Sequence, residues 1–359
     1  MKKTILTFFL VLIGIQINSI EWKLTHQITS TSTFYIDQSN FDTDLNYKPT
    51  LVFDLIQSDD HYLDSEISYD FNLKLVRINN HGKHQNNEFK ITGDLYRSWL
   101  RYSTSQSEIR IGLQKINFGP AQILRSLQWF DNIDPNDPTQ MTEGVKALLG
   151  RYYFINNANI WLWGIWGDRN DTSFEKFFYE EDNLEFGGRI QYPFQYCEAG
   201  FSAHHSPTDT QTFNTETKYG IDLRWDMALG FWIESCLNVY SNSQQNNYSR
   251  QLTLGTDYTF GIGNGIYSLL EHQYFSEVQE DIWNPSDRTG ASSLLISYPL
   301  GMFDSVRSIL TYNWQPELYN WFLSYNRNYD FLSLYINCFG NIDKINDDKS
   351  IQLIIEKKF

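Results

Sequence analysis

The sequence predicts an all-β chain: a transmembrane antiparallel β-barrel of about 16–18 strands with one long loop folded inward. Three observations carry this. Apolar and polar residues alternate with period two, the alternating segments are as long as a tilted bilayer crossing, and Tyr and Trp recur near segment ends.

The first residues set the compartment. Lys2 and Lys3 precede an apolar run from Ile5 to Ile15, and a polar stretch follows from Gln16 to Ser19. This is the charged and apolar pattern of a secretory signal peptide, and the run is too short for a transmembrane helix. The expected division is therefore a signal peptide at 1–19 and a single barrel domain at 20–359. Beyond the N-terminus no run of ~20 apolar residues occurs, which excludes a polytopic helical transporter. The 359 residues carry 43 carboxylates against 28 Lys and Arg, a formal charge of −15, and removal of Lys2 and Lys3 takes it to −17. A basic footprint is missing, so nucleic acid is not expected as a partner. Three cysteines, Cys197, Cys236 and Cys338, are too few for a disulfide scaffold. Cys197 shares parity with Phe201, whereas Cys236 shares parity with Glu234, so the two face opposite sides of a sheet and do not pair.

From residue 62 onward the alternation dominates. Ile67, Tyr69, Phe71, Leu73 and Leu75 share one side of a strand and Glu66, Ser68, Asp70, Asn72 and Lys74 the other. Leu184, Phe186, Ile190 and Tyr192 alternate with Glu185, Arg189 and Gln191, and Tyr219, Ile221, Leu223 and Trp225 with Asp222, Arg224 and Asp226. Many segments exceed the common globular strand of about 5–6 residues and match the ~9–11 tilted residues that cross a bilayer. Trp99, Tyr102, Trp161, Trp163, Trp166, Tyr192, Tyr196, Trp314 and Tyr319 lie near segment ends and are assigned to interfacial girdles. Alternation by itself also fits a soluble secreted β-sandwich.

The chain ends SIQLIIEKKF, an amphipathic strand finishing on Phe359. With the signal sequence, the strand lengths and the aromatic placement, it resembles a Gram-negative outer-membrane β-barrel of the porin-like class. The resemblance implies residence in the outer membrane, contact with its lipid, and recognition of Phe359 by the barrel-assembly machinery.

Phe118 to Gly144 is the least strand-like stretch, too long for a routine turn and rich in residues that want burial: Ile123, Leu124, Leu127, Trp129 and Phe130. It is expected to fold into the lumen as a constriction or partial plug. The preceding G-L-Q-K-I-N-F-G-P resembles a motif that several porin-like families, alginate-export barrels among them, carry before such a loop. That implies the motif places for Gly112, Gln114, Phe118 and Gly119, with Phe118 where Trp is commoner.

Basic residues cluster around this segment: Arg97, Arg101, Arg110, Lys115, Arg125 and Arg151. Asp131, Asp134, Asp137 and Glu143 are expected to face them across a pore constriction, where opposed charge orients polar solutes and sets ion selectivity. Structural ion pairs that hold the loop to the wall fit the same residues. Parity assigns Glu185, Arg189, Asp222, Arg224, Asp226, Glu234, Asp257 and Glu271 to the lumen, since a charge facing lipid can cost ~2–4 kcal/mol at midplane. Acidic residues lead that set, which predicts a mild cation preference.

No metal site and no cofactor are expected. Asp131, Asp134 and Asp137 lack the EF-hand spacing, and His81 and His84 sit in a polar hairpin tip. Neither a G-x-S-x-G elbow nor a phosphate-binding loop occurs. The expected activity is diffusion of small hydrophilic solutes or ions through a water-filled, loop-narrowed lumen. An export or uptake barrel for an oligo- or polysaccharide, a lipid hydrolase using His205 as base, and a surface adhesin remain alternatives.

Overall fold

The computed structural model describes residues 21–37, 40–58, 60–78, 86–166, 184–207, 214–241, 246–279, 288–342 and 347–359. The signal peptide expected at 1–19 and the hairpin tip holding His81 and His84 lie outside the described residues. The first six strands are β1 (Glu21–Tyr35), β2 (Asn40–Gln57), β3 (Tyr62–Ile78), β4 (Asn86–Ser103), β5 (Ser107–Gln114) and β6 (Val145–Tyr153). The next six are β7 (Asn159–Ile165), β8 (Glu185–Pro193), β9 (Cys197–Pro207), β10 (Thr215–Asp226), β11 (Gly230–Ser241) and β12 (Asn246–Phe260). The last six are β13 (Ile266–Gln279), β14 (Arg288–Pro299), β15 (Asp304–Trp314), β16 (Glu317–Asn328), β17 (Ser333–Ile342) and β18 (Asp347–Lys358).

Each strand pairs antiparallel with its sequence neighbour, and β1 pairs with β18, so the 18-stranded sheet closes on itself. Closure removes the free edges that would otherwise leave backbone groups unsatisfied in lipid. Phe359 completes the seam: its N–H donates to the His26 carbonyl at 2.9 Å and its carbonyl accepts from the His26 N–H at 3.3 Å. The alternation already holds in β1 and β2, where Phe41, Leu45 and Tyr47 are exposed outside and Asp42, Asp44 and Asn46 share the opposite parity.

Alternation gives the wall two faces with different solvents. On the outside, Leu270, Leu294 and Leu310 stand side by side in register across β13, β14 and β15, all exposed on the bare barrel and suited to acyl chains. One residue away, Leu269 and Ile309 point inward and are buried with Trp232, Leu295, Phe322 and Ala121. Tyr274, Trp314 and Tyr319 crowd the outer surface near one rim, with Tyr312 packed between Trp314 and Tyr319. At the other rim, Tyr192, Phe194 and Tyr196 are exposed.

Three aromatics assigned to the girdles turn inward instead. Trp163 is buried in the lumen with Phe118 and Phe130, Trp161 packs against the same cluster, and Trp99 lies under Arg101 and Arg110. The reason is parity. Trp161 and Trp163 share a face with inward Ile165, and Trp99 shares one with Arg97 and Arg101 beyond the register shift between β3 and β4. Nearness to a strand end says nothing about which face a ring takes.

One rim carries short connections throughout, whereas the opposite rim mixes long ones with tight ones such as the two-residue turn between Trp314 and Glu317. Ser58–His61, Thr104–Ser107, Phe194–Cys197 and Leu300–Asp304 close tight turns on the rim that carries both Glu21 and Phe359. The β5–β6 connection, residues 115–144, belongs to the opposite rim. In outer-membrane barrels short turns mark the periplasmic side, which puts this loop's attachment on the outer side.

Leu294 sits near the middle of β14 and faces lipid, so Leu294→Arg should lower folding stability in vesicles by about 2–4 kcal/mol, whereas Leu300→Arg at the turn should cost about 0–1 kcal/mol. Denaturant titration of the two variants in lipid vesicles compares them.

Candidate pore constriction

The inward loop begins with two glycine-dependent bends. Gly112 has φ +122° and Gly119 φ +95°, both in the region that disfavours a side chain. A Cβ on Gly112 would collide with the Ser98 carbonyl of β4, and one on Gly119 with the Glu234 carboxylate. Between them Gln114 is fully buried and its amide donates to the Ala147 carbonyl at 2.9 Å, tying the end of β5 to β6. Phe118 then stacks on Trp163, edge-on to Trp129 and Phe130. These four rings, with Ile116, Leu127, Leu149 and Cys236, form a dry cluster against the β6, β7 and β11 wall.

A segment entering the lumen carries backbone N–H groups that must be satisfied. Two carboxylates from the far wall do this. Glu234 of β11 accepts from the N–H groups of Ala121 at 2.8 Å and Leu127 at 3.1 Å. Glu271 of β13 accepts from Gln122 at 2.8 Å, Ile123 at 2.9 Å and Leu124 at 2.6 Å, and from Trp232 Nε1 at 3.2 Å. Both glutamates are 0% exposed. They point into the barrel, yet the loop covers them and lumen water does not reach them. Thr253 donates to the Leu124 carbonyl at 2.6 Å, and Ser126 bonds the same hydroxyl at 2.8 Å. Arg97 holds the returning end through the Thr142 carbonyl at 2.7 Å.

Arg101, Arg110 and Arg151 pair within the wall and not with the loop aspartates. Arg101 makes a bidentate pair with Asp64 at 2.8 and 2.7 Å, while Arg110 and Arg151 share Glu108 at 3.2 and 3.3 Å. Trp99 lies beneath Arg101 and Arg110, and Trp161 beneath Arg151. Arg125 pairs with Asp131 at 2.6 Å inside the loop itself. Asp134 and Asp137 cap turns, Asp134 accepting from the Asn136 N–H and Asp137 from the N–H and hydroxyl of Thr139. Glu143 lies on the loop's return beside Asp94, and burial pushes the Lys115 ammonium down, against the pull of Asp131.

Around the wall, Arg189 and Asp222 form a buried bidentate pair at 2.6 and 2.8 Å, with Arg189 over the Phe118 ring. Arg224 and Asp226 pair at 3.1 Å near the rim, and Asp257 accepts from the Tyr267 hydroxyl at 2.9 Å. Glu185 bonds His204 Nε2 at 3.0 Å, and Trp163 donates to His204 Nδ1 at 3.2 Å. His205, on the outer face, shares a hydrogen bond with the Thr217 hydroxyl at 2.9 Å and lies against Phe186. Among the described residues no group of three or more His, Cys, Asp or Glu converges to hold a metal.

On the side away from Glu234 and Glu271, the loop leaves a cavity of about 890 Å³ against β1–β3 and β15–β18. Among the described residues its charged lining is Asp44, Asp70, Asp134 and Asp137, with Lys74 the one cation. A cavity of about 440 Å³ adjoins it at Phe339 to Asn341, and another of about 320 Å³ at Asp70 and Met141. Asp44, Asp70 and Lys74 were not among the residues expected to line a constriction. Their signal was the parity of β2 and β3, which puts Asp44 opposite Lys74 on the inner face.

This architecture decides the comparison with known structures. The fold is that of a porin-like outer-membrane barrel. Pseudomonas aeruginosa OccK2 (OpdF) superposes with a TM-score of 0.63 at 11% identity, covering 96% of this chain and 98% of that one. Acinetobacter baumannii OccAB1 gives 0.60 at 8% identity over 96% and 97% of the two chains. Pseudomonas aeruginosa OpdK, solved with vanillate, gives 0.58 at 10% identity over 94% and 98%. The sequence matches no protein-family model and no curated protein. At these identities the likeness is one of fold.

Glu271→Ala leaves three loop amides and the Trp232 N–H without acceptors. It should cost about 1–3 kcal/mol of stability and raise single-channel conductance and open-channel noise, as read in planar bilayers beside a denaturant titration.

Proposed function

We propose that the protein is an outer-membrane channel through which small hydrophilic solutes or ions diffuse, its lumen narrowed by residues 115–144. The observation that carries this reading is the partition of the lumen. Two apolar clusters pack the loop against the wall, and a cavity of about 890 Å³, acidic on its β2 and β3 side, remains between the loop edge and β1–β3 and β15–β18. A structural barrel has no need of a loop that is pinned across the lumen and leaves a cavity along one side. The solved barrels of the same fold are outer-membrane proteins, among them OpdK with vanillate, which supports passage of a small organic solute here.

Charge follows the partition. The arginines of β4, β5, β6 and β8 have carboxylate or carbonyl partners within the wall or on the loop, so little of their charge is left for the water path. Among the described residues four carboxylates and one lysine line the open cavity. Low-dielectric walls focus the field of these charges into the water-filled cleft, and its negative sign selects cations.

Purified, detergent-folded protein in a planar bilayer under a salt gradient should show stable conductance steps with a reversal potential on the cation-selective side. Silence from protein shown to be folded would remove the channel reading.

A further inference from the structure

We infer that the open cavity is a binding track for small aliphatic diamines and polyamines, an inference that rests on the channel reading and names its solute class. Three features of the cavity wall converge on this chemistry.

The first is the row of carboxylates. Asp42 and Asp44 are alternate residues of β2 on the inner face, which sets them about 6.8 Å apart along the strand. Asp44 and Asp70 line the central cavity, Asp42 the adjoining one toward the rim, and Asp94 the other adjoining one. These carboxylates are strung along a path rather than converging on a point. A metal ion needs converging ligands, whereas ammonium groups separated by methylenes meet carboxylates in succession.

The second is a pair of unused acceptors. Asn46 is 9% exposed and its amide nitrogen donates to Asp70, which leaves the carbonyl oxygen Oδ1 buried with no partner. Thr29, opposite Asn46 across β1 and β2, is 5% exposed and its hydroxyl is also unpartnered. Both residues line the central cavity beside Asp70. Buried oxygens without donors are costly, and an ammonium, which offers three donors and no acceptor, suits them.

The third is the opposite wall. Ile123 and Leu124 of the loop, with Ile309, Phe322 and Phe339 of the barrel, line the same cavity with apolar surface. An aliphatic spacer packs there while its charged ends address the acidic side. The protein supplies its own example: Lys74 places an ammonium 3.9 Å from both Asp42 and Asp44 at the end of a methylene chain. A bound diamine takes over that position from Lys74.

Calorimetric titration of putrescine into the detergent-folded barrel tests this and reads binding whether or not the barrel conducts. Putrescine should bind, and Asp44→Asn and Asp70→Asn should each weaken it about fivefold, the worth of one charge contact in a water-filled setting. Lys74→Met should tighten it, a gain that a damaged fold cannot produce. Glutarate, a dianion of similar length, should give no binding heat. Absence of putrescine binding to folded wild-type protein, binding unchanged in all three variants, or preferential binding of glutarate would each overturn the inference. The bilayer experiment above decides the channel reading separately.

Discussion

The lumen is organised by the need to satisfy the backbone of a segment that enters it. A strand in the wall finds its partners in its neighbours, but Ala121 to Leu127 crosses open space and brings five amides that need acceptors. Glu234 of β11 and Glu271 of β13 supply them with four oxygens from either side of β12, and Trp232, in register with Glu271 across Gly255, donates to it. A carboxylate without a cation is costly to bury, and here convergent N–H donors replace the counter-charge, as they do where backbone amides hold an anion. The loop and the two glutamates are thus mutually dependent.

From this pinning follow the asymmetry and the charge of the water path. The loop rests on β11–β13, the aromatic residues behind it pack into β6 and β7, and the lumen that remains lies against β1–β3 and β15–β18. The arginine-rich arc of β4 to β8 is taken up in pairs with Asp64, Glu108 and Asp222 and in stacking on Trp99, Trp161 and Phe118. The acidic arc of β2 and β3 stays beside the opening. A formal charge of −15 spread over the chain does not by itself give a selective pore; its arrangement around one loop does.

Much of the fold was legible because a barrel wall writes its two solvents into alternate residues. Ile221 and Asp222, or Leu269 and Leu270, are told apart by parity alone. The inward loop was legible from length and from Trp129 and Phe130, which have no place in a solvated connection. The rest depended on contacts between distant strands. Parity puts Glu234 and Asp44 in one class, both acidic and both inward, yet one is covered by the loop and the other lines a cavity. Only the path of residues 115–144 distinguishes them. The tryptophans misled for a related reason: Trp99 and Trp163 stand near strand ends, but a ring that covers an arginine or packs a loop faces the lumen. The acidic side of β2 carried its signal in Asp42, Asp44 and Asn46 alternating with Phe41, Leu45 and Tyr47.

Amide hydrogen exchange on the folded protein in detergent addresses the pinned loop most directly. If Glu234 and Glu271 hold the segment, the amides of Ala121, Gln122, Ile123, Leu124 and Leu127 exchange as slowly as those of the neighbouring wall strands. Exchange at these five positions as fast as at the exposed turn around Leu300 would contradict the account, since neither the dry clusters nor the one-sided acidic opening would then have a fixed loop to shape them.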